Sequence, residues 1–283
     1  MPETRRTLHE RFGGQCTPED IGGYVFVPGS QRRARQLAEA WKDPREIASH
    51  YEFLVLSGKL NETSVTACST GIGGRSTSIA VTELAELGGH TFVRVGVTGS
   101  LQPEVQVGDL IIASAAVRMD KTSEHFVTLA YPALAHFEVL VALIAAAQDN
   151  DFRYHVGISA TSSSFYCGEG SSGFNGYRHS GMDAIESDLQ AARVYDWDTE
   201  TATLFTLCGL YGLRAGRVNA VVDDPETGVY NPIGEANAVK TALDAVRILS
   251  AWDQDKKKTC KRFTLPAYPA SLQDQSTISA GDD

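Results

Sequence analysis

The sequence predicts an α/β fold, a three-layer α/β/α sandwich around a mixed, twisted sheet. Three observations carry that reading. Between Val65 and Ile112 a β-rich stretch ends in Gly71-Ile72-Gly73-Gly74, an amphipathic helix follows with Ile79, Val81, Leu84 and Leu87 on its apolar face, and a second strand begins at Thr91. Strand-like runs then alternate with helical patterns along the rest of the chain. Glycine turns also follow strand ends, the edge of an α/β sheet where ligands gather.

Taken in order, Tyr24 to Val27 is a strand, and Pro28-Gly29-Ser30 turns into a helix from Gln31 to Trp41. Backbone amides at such a helix start suit an anion, and Arg33 projects from the first turn. Tyr51 to Ser57 and Ser64 to Ser69 form a hairpin around Gly58-Lys59-Leu60-Asn61. Beyond the Thr91 to Gly96 strand, Gly108 to Val117 and Val156 to Ser162 are strands flanking a helix from Phe137 to Gln148. Gly168 to Gly181, rich in Gly and Ser, is a loop over the crevice. Asp183 to Ala192 is a helix, Val194 to Trp197 a strand, and Asp198 the N-cap of a helix through Leu207. Gly216 to Val222 is the last strand, and Glu235 to Trp252 the closing helix.

Composition narrows the class. A chain of 283 residues buries one large core or two small ones, and one domain is the reading adopted, with residues 1–20 as an N-terminal extension and 21–252 as the α/β domain. A net charge of -10 argues against a dedicated nucleic-acid surface. The 5 cysteines are scattered without CxxC spacing, which suits a reducing intracellular compartment, and neither a disulfide frame nor zinc. The longest apolar run, Val139 to Ala147, is too short to span a bilayer. Arg5, Arg6 and Arg11 alternate with Glu3 and Glu10, a weak presequence, so the cytoplasm is preferred to mitochondria. Residues 253–283 form a polar tail with a basic knot (Lys256, Lys257, Lys258, Lys261, Arg262) ahead of Phe263 and Tyr268. It buries too little apolar surface to fold alone, and is either a disordered tail or a strap docking on a partner through Phe263 and Tyr268.

The stretch STGIGG-x-STSIAV-x-ELAELG, followed by FVRVG-x-TGSLQP-x-x-x-VGDLII, resembles the nucleoside phosphorylase superfamily, most closely its uridine phosphorylase branch. YVFVPGS (24–30), ASHYEF (48–53), SSSFYCGEG (162–170) and DTETATL (198–204) extend the likeness over residues 20 to 250. The resemblance implies phosphorolysis: phosphate attacks the anomeric carbon while the base departs through an oxocarbenium-like transition state. The protein must then fix a dianion, grip the ribose and accommodate charge on the leaving base.

By that resemblance Gly29, Arg33 and Arg94 hold phosphate. The family's threonine after the second arginine falls on Val97, with Thr98 one step on, and the arginine lent by the neighbouring subunit falls on Tyr51. Glu200, beside Thr199, takes the ribose hydroxyls; its bland alternative is an ordinary carboxylate at a helix N-terminus. Phe165 matches the aromatic that stacks on sugar and base. The uracil-reading Gly-Gln-x-Arg becomes Gly168-Glu169-Gly170-Ser171, and a carboxylate cannot donate to a uracil carbonyl. Arg178 is a possible substitute for the absent arginine. Asp224 matches a further arginine of the pyrimidine branch, and reads either as the acid that protonates a departing purine or as part of a polar Asp-Asp-Pro-Glu-Thr-Gly turn. Ser30-Gln31 offers no acid to activate water, which argues against hydrolysis.

These changes imply a uridine phosphorylase-like protein with a degraded phosphate and uracil site, an inactive or weak homologue serving as a structural or regulatory subunit. The alternative is an active nucleoside phosphorylase of salvage or catabolism, a pentosyltransferase turning a nucleoside (uridine, or a purine nucleoside through Asp224) and phosphate into base and ribose 1-phosphate. Neither reading calls for a metal or a cofactor beyond phosphate as co-substrate. Partners expected from the resemblance are a second copy or a related subunit in a dimer, with the tail contacting a larger assembly, and no membrane.

Overall fold

The alternating apolar runs pair into one ten-stranded sheet in the computed structural model, which describes residues 16–223 and 230–264. The chain runs β1 (Tyr24–Phe26), α1 (Gln31–Ala38), β2 (Lys42–His50), β3 (Phe53–Leu60), β4 (Thr63–Cys68), α2 (Gly74–Glu86), β5 (Thr91–Gly99), β6 (Leu110–Met119) and α3 (Lys121–Glu124). It continues through β7 (Ala133–Leu134), α4 (Phe137–Asp149), β8 (Tyr154–Ser162), α5 (Met182–Ala191), β9 (Val194–Asp198), α6 (Thr201–Tyr211), β10 (Arg214–Asp223) and α7 (Glu235–Thr259). The strand order is β2-β3-β4-β1-β5-β10-β6-β8-β9, with β7 paired to β6. The β4-β1-β5-β10 and β6-β8-β9 blocks are parallel, whereas β6 runs antiparallel to β10, and the β2-β3-β4 edge is antiparallel. The sheet is therefore mixed, as expected.

Helices cover both faces. On one side Leu37 of α1, Val139 and Leu143 of α4, and Val246 and Leu249 of α7 pack on Phe26, Val93, Val95 and Val218. On the other, Val81 and Leu84 of α2 with Leu204 and Phe205 of α6 pack on Val25, Phe92 and Ala113. Burying each such side chain contributes about 1.5–3 kcal/mol, which makes the two apolar layers the main stabilising term. Among the described residues no helix is long and apolar enough to cross a membrane, no group of three metal-ligating side chains occurs, and all five cysteines are free.

Several boundaries differ from the sequence reading. The hairpin turn is Asn61-Glu62, with Asn61 in the left-handed region at φ 54°, and Gly58 to Leu60 lie within β3. Strand β2 was not foreseen: Lys42-Asp43-Pro44-Arg45-Glu46 is mostly exposed and carries a proline, composition that a sheet tolerates only at its edge. Helix α1 stops three residues short of Trp41, and α6 begins at Thr201, with Glu200 as its first flanking residue. Asp198 still satisfies the helix start, accepting from the Thr201 amide at 3.1 Å.

Helix α7 passes Trp252 and ends at Thr259, so the first residues assigned to the tail are helical and anchored. Asp253 accepts from Tyr24 Oη at 2.5 Å and from Arg214 Nη1 at 2.9 Å, and lies 2.7 Å from Lys256 Nζ. Lys256 also reaches Glu138, which takes the Thr264 amide at 3.0 Å, and Phe263 meets Phe137 edge-on within the same chain. Tyr268 lies outside the described residues. Burial alone would raise the Asp253 carboxyl, but the hydrogen bonds from Arg214, Lys256 and Tyr24 outweigh it and hold the group well below the usual carboxylate range. A depressed carboxyl contributes stability that is complete at neutral pH and is lost only as acidification passes below that range. Asp253→Ala is expected to cost about 1–3 kcal/mol, read as a lower urea midpoint at neutral pH, with the gap to the parent closing in strong acid.

Candidate active site

The C-terminal ends of the parallel strands converge on one cavity of about 770 Å³, a volume suited to a small organic ligand. Strand β1 delivers Gly29 and, through the start of α1, Arg33; β5 delivers Arg94 and the Gly96 to Leu101 stretch; β9 delivers Asp198, Thr199 and Glu200; β10 delivers Asp223. The loop after β8 adds Phe165 and Glu169, and α5 adds Glu186. Gly29, Arg33, Arg94, Phe165, Glu169, Thr199 and Glu200 thus share one lining. Asp224 lies outside the described residues, and its neighbour Asp223 lines the cavity.

The cationic part is built on burial. Arg33 and Arg94 are 6% and 5% exposed, which is costly for a guanidinium without anionic partners. Arg94 donates through Nη2 to Glu200 Oε2 and through Nη1 to the Val27 carbonyl at 3.4 Å, and its Nε lies 4.0 Å from Asp198. Arg33 lies 3.4 Å from Glu235, which also accepts from Arg32 at 2.5 Å. Burial lowers the Arg33 pKa, Glu235 opposes that, and the charge of Arg94 lowers it again. The Nε atoms of both arginines are buried without a hydrogen-bond acceptor among the described residues. Two mutually repelling cations with unspent donors are relieved by an added anion. Gly29 leaves the approach open: a Cβ there would stand 3.6 Å from Arg94 Nη2 and 3.5 Å from the Gly71 carbonyl, between the arginine and the glycine turn.

Glu200 sits where three elements meet, 2% exposed. Its Oε1 accepts from the Gly73 amide at 2.6 Å and from Thr199 Oγ1 at 2.5 Å, while Oε2 accepts from Arg94. The glycine turn after β4 therefore serves to aim an amide at this carboxylate. Thr98 commits its hydroxyl proton to the Trp197 carbonyl, and Val97 lines the cavity with an apolar side chain. Tyr51 is 71% exposed at the tip between β2 and β3 and takes no part in the lining. Arg178 donates to the Gly170 carbonyl at 2.7 Å and to Asp183, so it stays outside the cavity.

The loop fixes Glu169 tightly. A side chain at Gly168 would strike Ser162 Oγ and the Ser164 carbonyl, and Gly170 sits at φ 78° with the Glu186 carboxylate where a Cβ would stand. Glu169 Oε1 is buried with no hydrogen-bond partner among the described residues. Burial, and then Asp198, Glu200, Asp196 and Asp223, push its carboxyl up to about 8.

Sequence reasoning missed the layer beneath. Arg217 of β10, beside Arg94 in register, is fully buried and donates to Asp196, and its Nε lies 3.9 Å from Asp198. Burial raises the Asp196 carboxyl against the pull of Arg217. A charge inside each of the apolar runs Arg214 to Val222 and Val194 to Trp197 was the available signal, since buried charges occur in pairs.

A family model described as Phosphorylase superfamily matches residues 24–250. A uridine phosphorylase of Thermococcus kodakarensis is 46% identical over 94% of this chain and 95% of its own length. The uridine phosphorylase of Escherichia coli is 40% identical over 82% of this chain and 95% of its own. A guanosine phosphorylase of Halorubrum lacusprofundi is 33% identical over 71% of this chain and 78% of its own. With its βαβ core, its glycine turns and its paired arginines inside the matched span, the chain belongs to the phosphorylase superfamily and is uridine phosphorylase-like.

Proposed function

We propose that the protein is an active nucleoside phosphorylase with uridine as its first substrate. The observation that carries this reading is the convergence of two buried arginines, Gly29 and Glu200 on one cavity. Phosphate sits against Arg33, Arg94 and Gly29, and Glu200, steadied by Thr199 and the Gly73 amide, accepts from the ribose hydroxyls. A phosphate oxygen forms a bond to C1′, the C1′–N bond breaks, and its electron pair leaves with the base, which takes a proton. The Glu200 carboxylate also favours the positive charge that builds on the ribose. Phe165, half-exposed at the rim, stacks on sugar and base. Phosphate is a co-substrate, and this reading calls for no other cofactor.

The reading as an inactive structural subunit finds no support in this lining or in the relatives, which carry phosphorylase names. A purine nucleoside is the second reading, favoured by Asp223: its carboxyl lines the cavity, is raised by burial, and suits donation to a departing base. The family resemblance supports a dimer as the working form, with the exposed Tyr51 facing the second subunit. Purified protein incubated with uridine, guanosine and inosine is expected to release base only when phosphate is present. Release without phosphate, or none from any nucleoside, would overturn the reading.

A further inference from the structure

We infer that Arg217 is a positioning residue for the phosphate step: buried beneath the cavity, it is the counter-cation of Asp196 and Asp198, and so keeps Asp198 from neutralising the Arg94 guanidinium. This inference rests on the phosphorylase reading of the cavity and adds a residue that touches no substrate.

The lining of the cavity carries more carboxylates (Glu169, Glu186, Asp198, Glu200 and Asp223) than guanidiniums (Arg32, Arg33 and Arg94), yet it has to hold a dianion. Arg94 faces two of those carboxylates: it donates to Glu200, and its Nε lies 4.0 Å from Asp198 Oδ2. Asp198 is fixed in place, because Thr161 Oγ1 donates to it at 2.7 Å and the Thr201 amide at 3.1 Å. A carboxylate held that close cancels part of the field that Arg94 directs at phosphate. Arg217 supplies the balancing charge. It stands beside Arg94 in the register of β5 and β10, and its own Nε lies 3.9 Å from the same Asp198 Oδ2. One carboxylate oxygen is thus shared between two guanidiniums, and neither the Arg94 Nε nor the Arg217 Nε has a hydrogen-bond acceptor among the described residues.

The bonding of Arg217 separates a role of charge from a role of cohesion. Arg118, also buried, donates to the carbonyls of Ser123, Val127, Thr128 and Tyr131 and to Ser123 Oγ, and so knits one loop together. Arg217 is fully buried and donates to Asp196, but its Nη1, like its Nε, has no acceptor among the described residues. Burial works against its charge, and Asp196, Asp198 and then Glu200 outweigh that cost, raising its pKa above the ordinary guanidinium value. The charge of Arg217 is therefore felt by Asp198 and Glu200, the two carboxylates that flank Arg94.

The test is binding of inorganic phosphate by calorimetry, with initial rates against phosphate and uridine and urea unfolding alongside. It compares the full-length protein with Asp196→Asn and with the double variant Asp196→Asn, Arg217→Met. The two variants differ at residue 217 alone, so their ratio isolates its charge. Asp196→Asn gives Arg217 wholly to Asp198, and phosphate is expected to bind about threefold more tightly than to wild type. The double variant removes the buried pair as a pair, so its urea midpoint is expected near the parent. Its phosphate affinity is expected to be about tenfold weaker than wild type, while the KM for uridine changes by less than about twofold. A prop for the fold alone would instead move stability, kcat and both KM values together, and that result would overturn the assignment. So would wild-type phosphate affinity in the double variant, or D196N that binds phosphate no more tightly than wild type; the second outcome decides alone should the double variant fail to fold. Phosphorolysis with the same phosphate affinity in all three proteins would sink only the Arg217 role, whereas the expected ratios without any phosphorolysis would sink only the enzymatic reading. Absence of phosphate binding by the wild type would remove both.

Discussion

Replacing Arg94 by alanine is expected to lower kcat/KM for phosphate by about 10²–10³-fold. The guanidinium is held between the Val27 carbonyl, Glu200 and Asp198, next to the open space above Gly29. Removing it takes a donor from the incoming dianion and leaves the buried Glu200 carboxylate without the cation it is paired with. Breaking a buried ion pair from one side costs about 3–5 kcal/mol, and each 1.36 kcal/mol is tenfold in rate, so part of the loss appears as stability and the rest as activity. Arg94→Lys separates the two. A point charge restores much of the stability but lacks the planar fork that a phosphate engages, so its urea midpoint is expected near the parent while its phosphate KM stays well above it. Initial rates against phosphate concentration, measured alongside unfolding curves, check both statements.

Glu200→Gln is expected to lower kcat/KM for uridine by about 10²-fold while the KM for phosphate does not rise. The amide keeps the shape but loses the charge, and its NH₂ group must turn toward either Gly73 and Thr199 or Arg94, all of which are donors to the native carboxylate. A buried donor facing a donor forfeits about 1–3 kcal/mol, and the oxocarbenium-like transition state loses its nearest countercharge. Arg94, released from that carboxylate, has more of its charge for phosphate. Opposite responses of the two substrates distinguish a ribose-holding carboxylate from one that merely props up the arginine, since the latter role makes the phosphate KM rise.

Much of the fold was legible because it is local. The glycine turn at Gly71–Gly74, the apolar stripe of α2 and the following strand fix a βαβ unit by periodicity alone, and Arg94, a lone charge in that strand, stands out as a residue with a task. What escaped was non-local. Strand β2 is charged and exposed, so no apolar pattern announces it; it exists because β3 offers an edge to pair with. The Asp196–Arg217 pair joins strands that β6 and β8 separate in the sheet, a juxtaposition no spacing encodes. The same limit governs Glu169. Its residue type suggested an ordinary ionised group, but the burial and the carboxylates of β9, Glu200 and the end of β10 that raise its carboxyl come together only on folding. The C-terminal segment likewise read as an appendage, because its partners Tyr24, Glu138 and Arg214 lie far back in the chain.

The central claim, that the arginine-lined cavity directs phosphate rather than water to the anomeric carbon, is tested most directly by phosphorus NMR of the full-length protein incubated with uridine and inorganic phosphate. A new resonance from a sugar 1-phosphate, growing in step with released uracil and absent from Arg94→Ala, is the predicted result. Uracil appearing with free ribose and an unchanged phosphate signal, or no uracil at all, would contradict it.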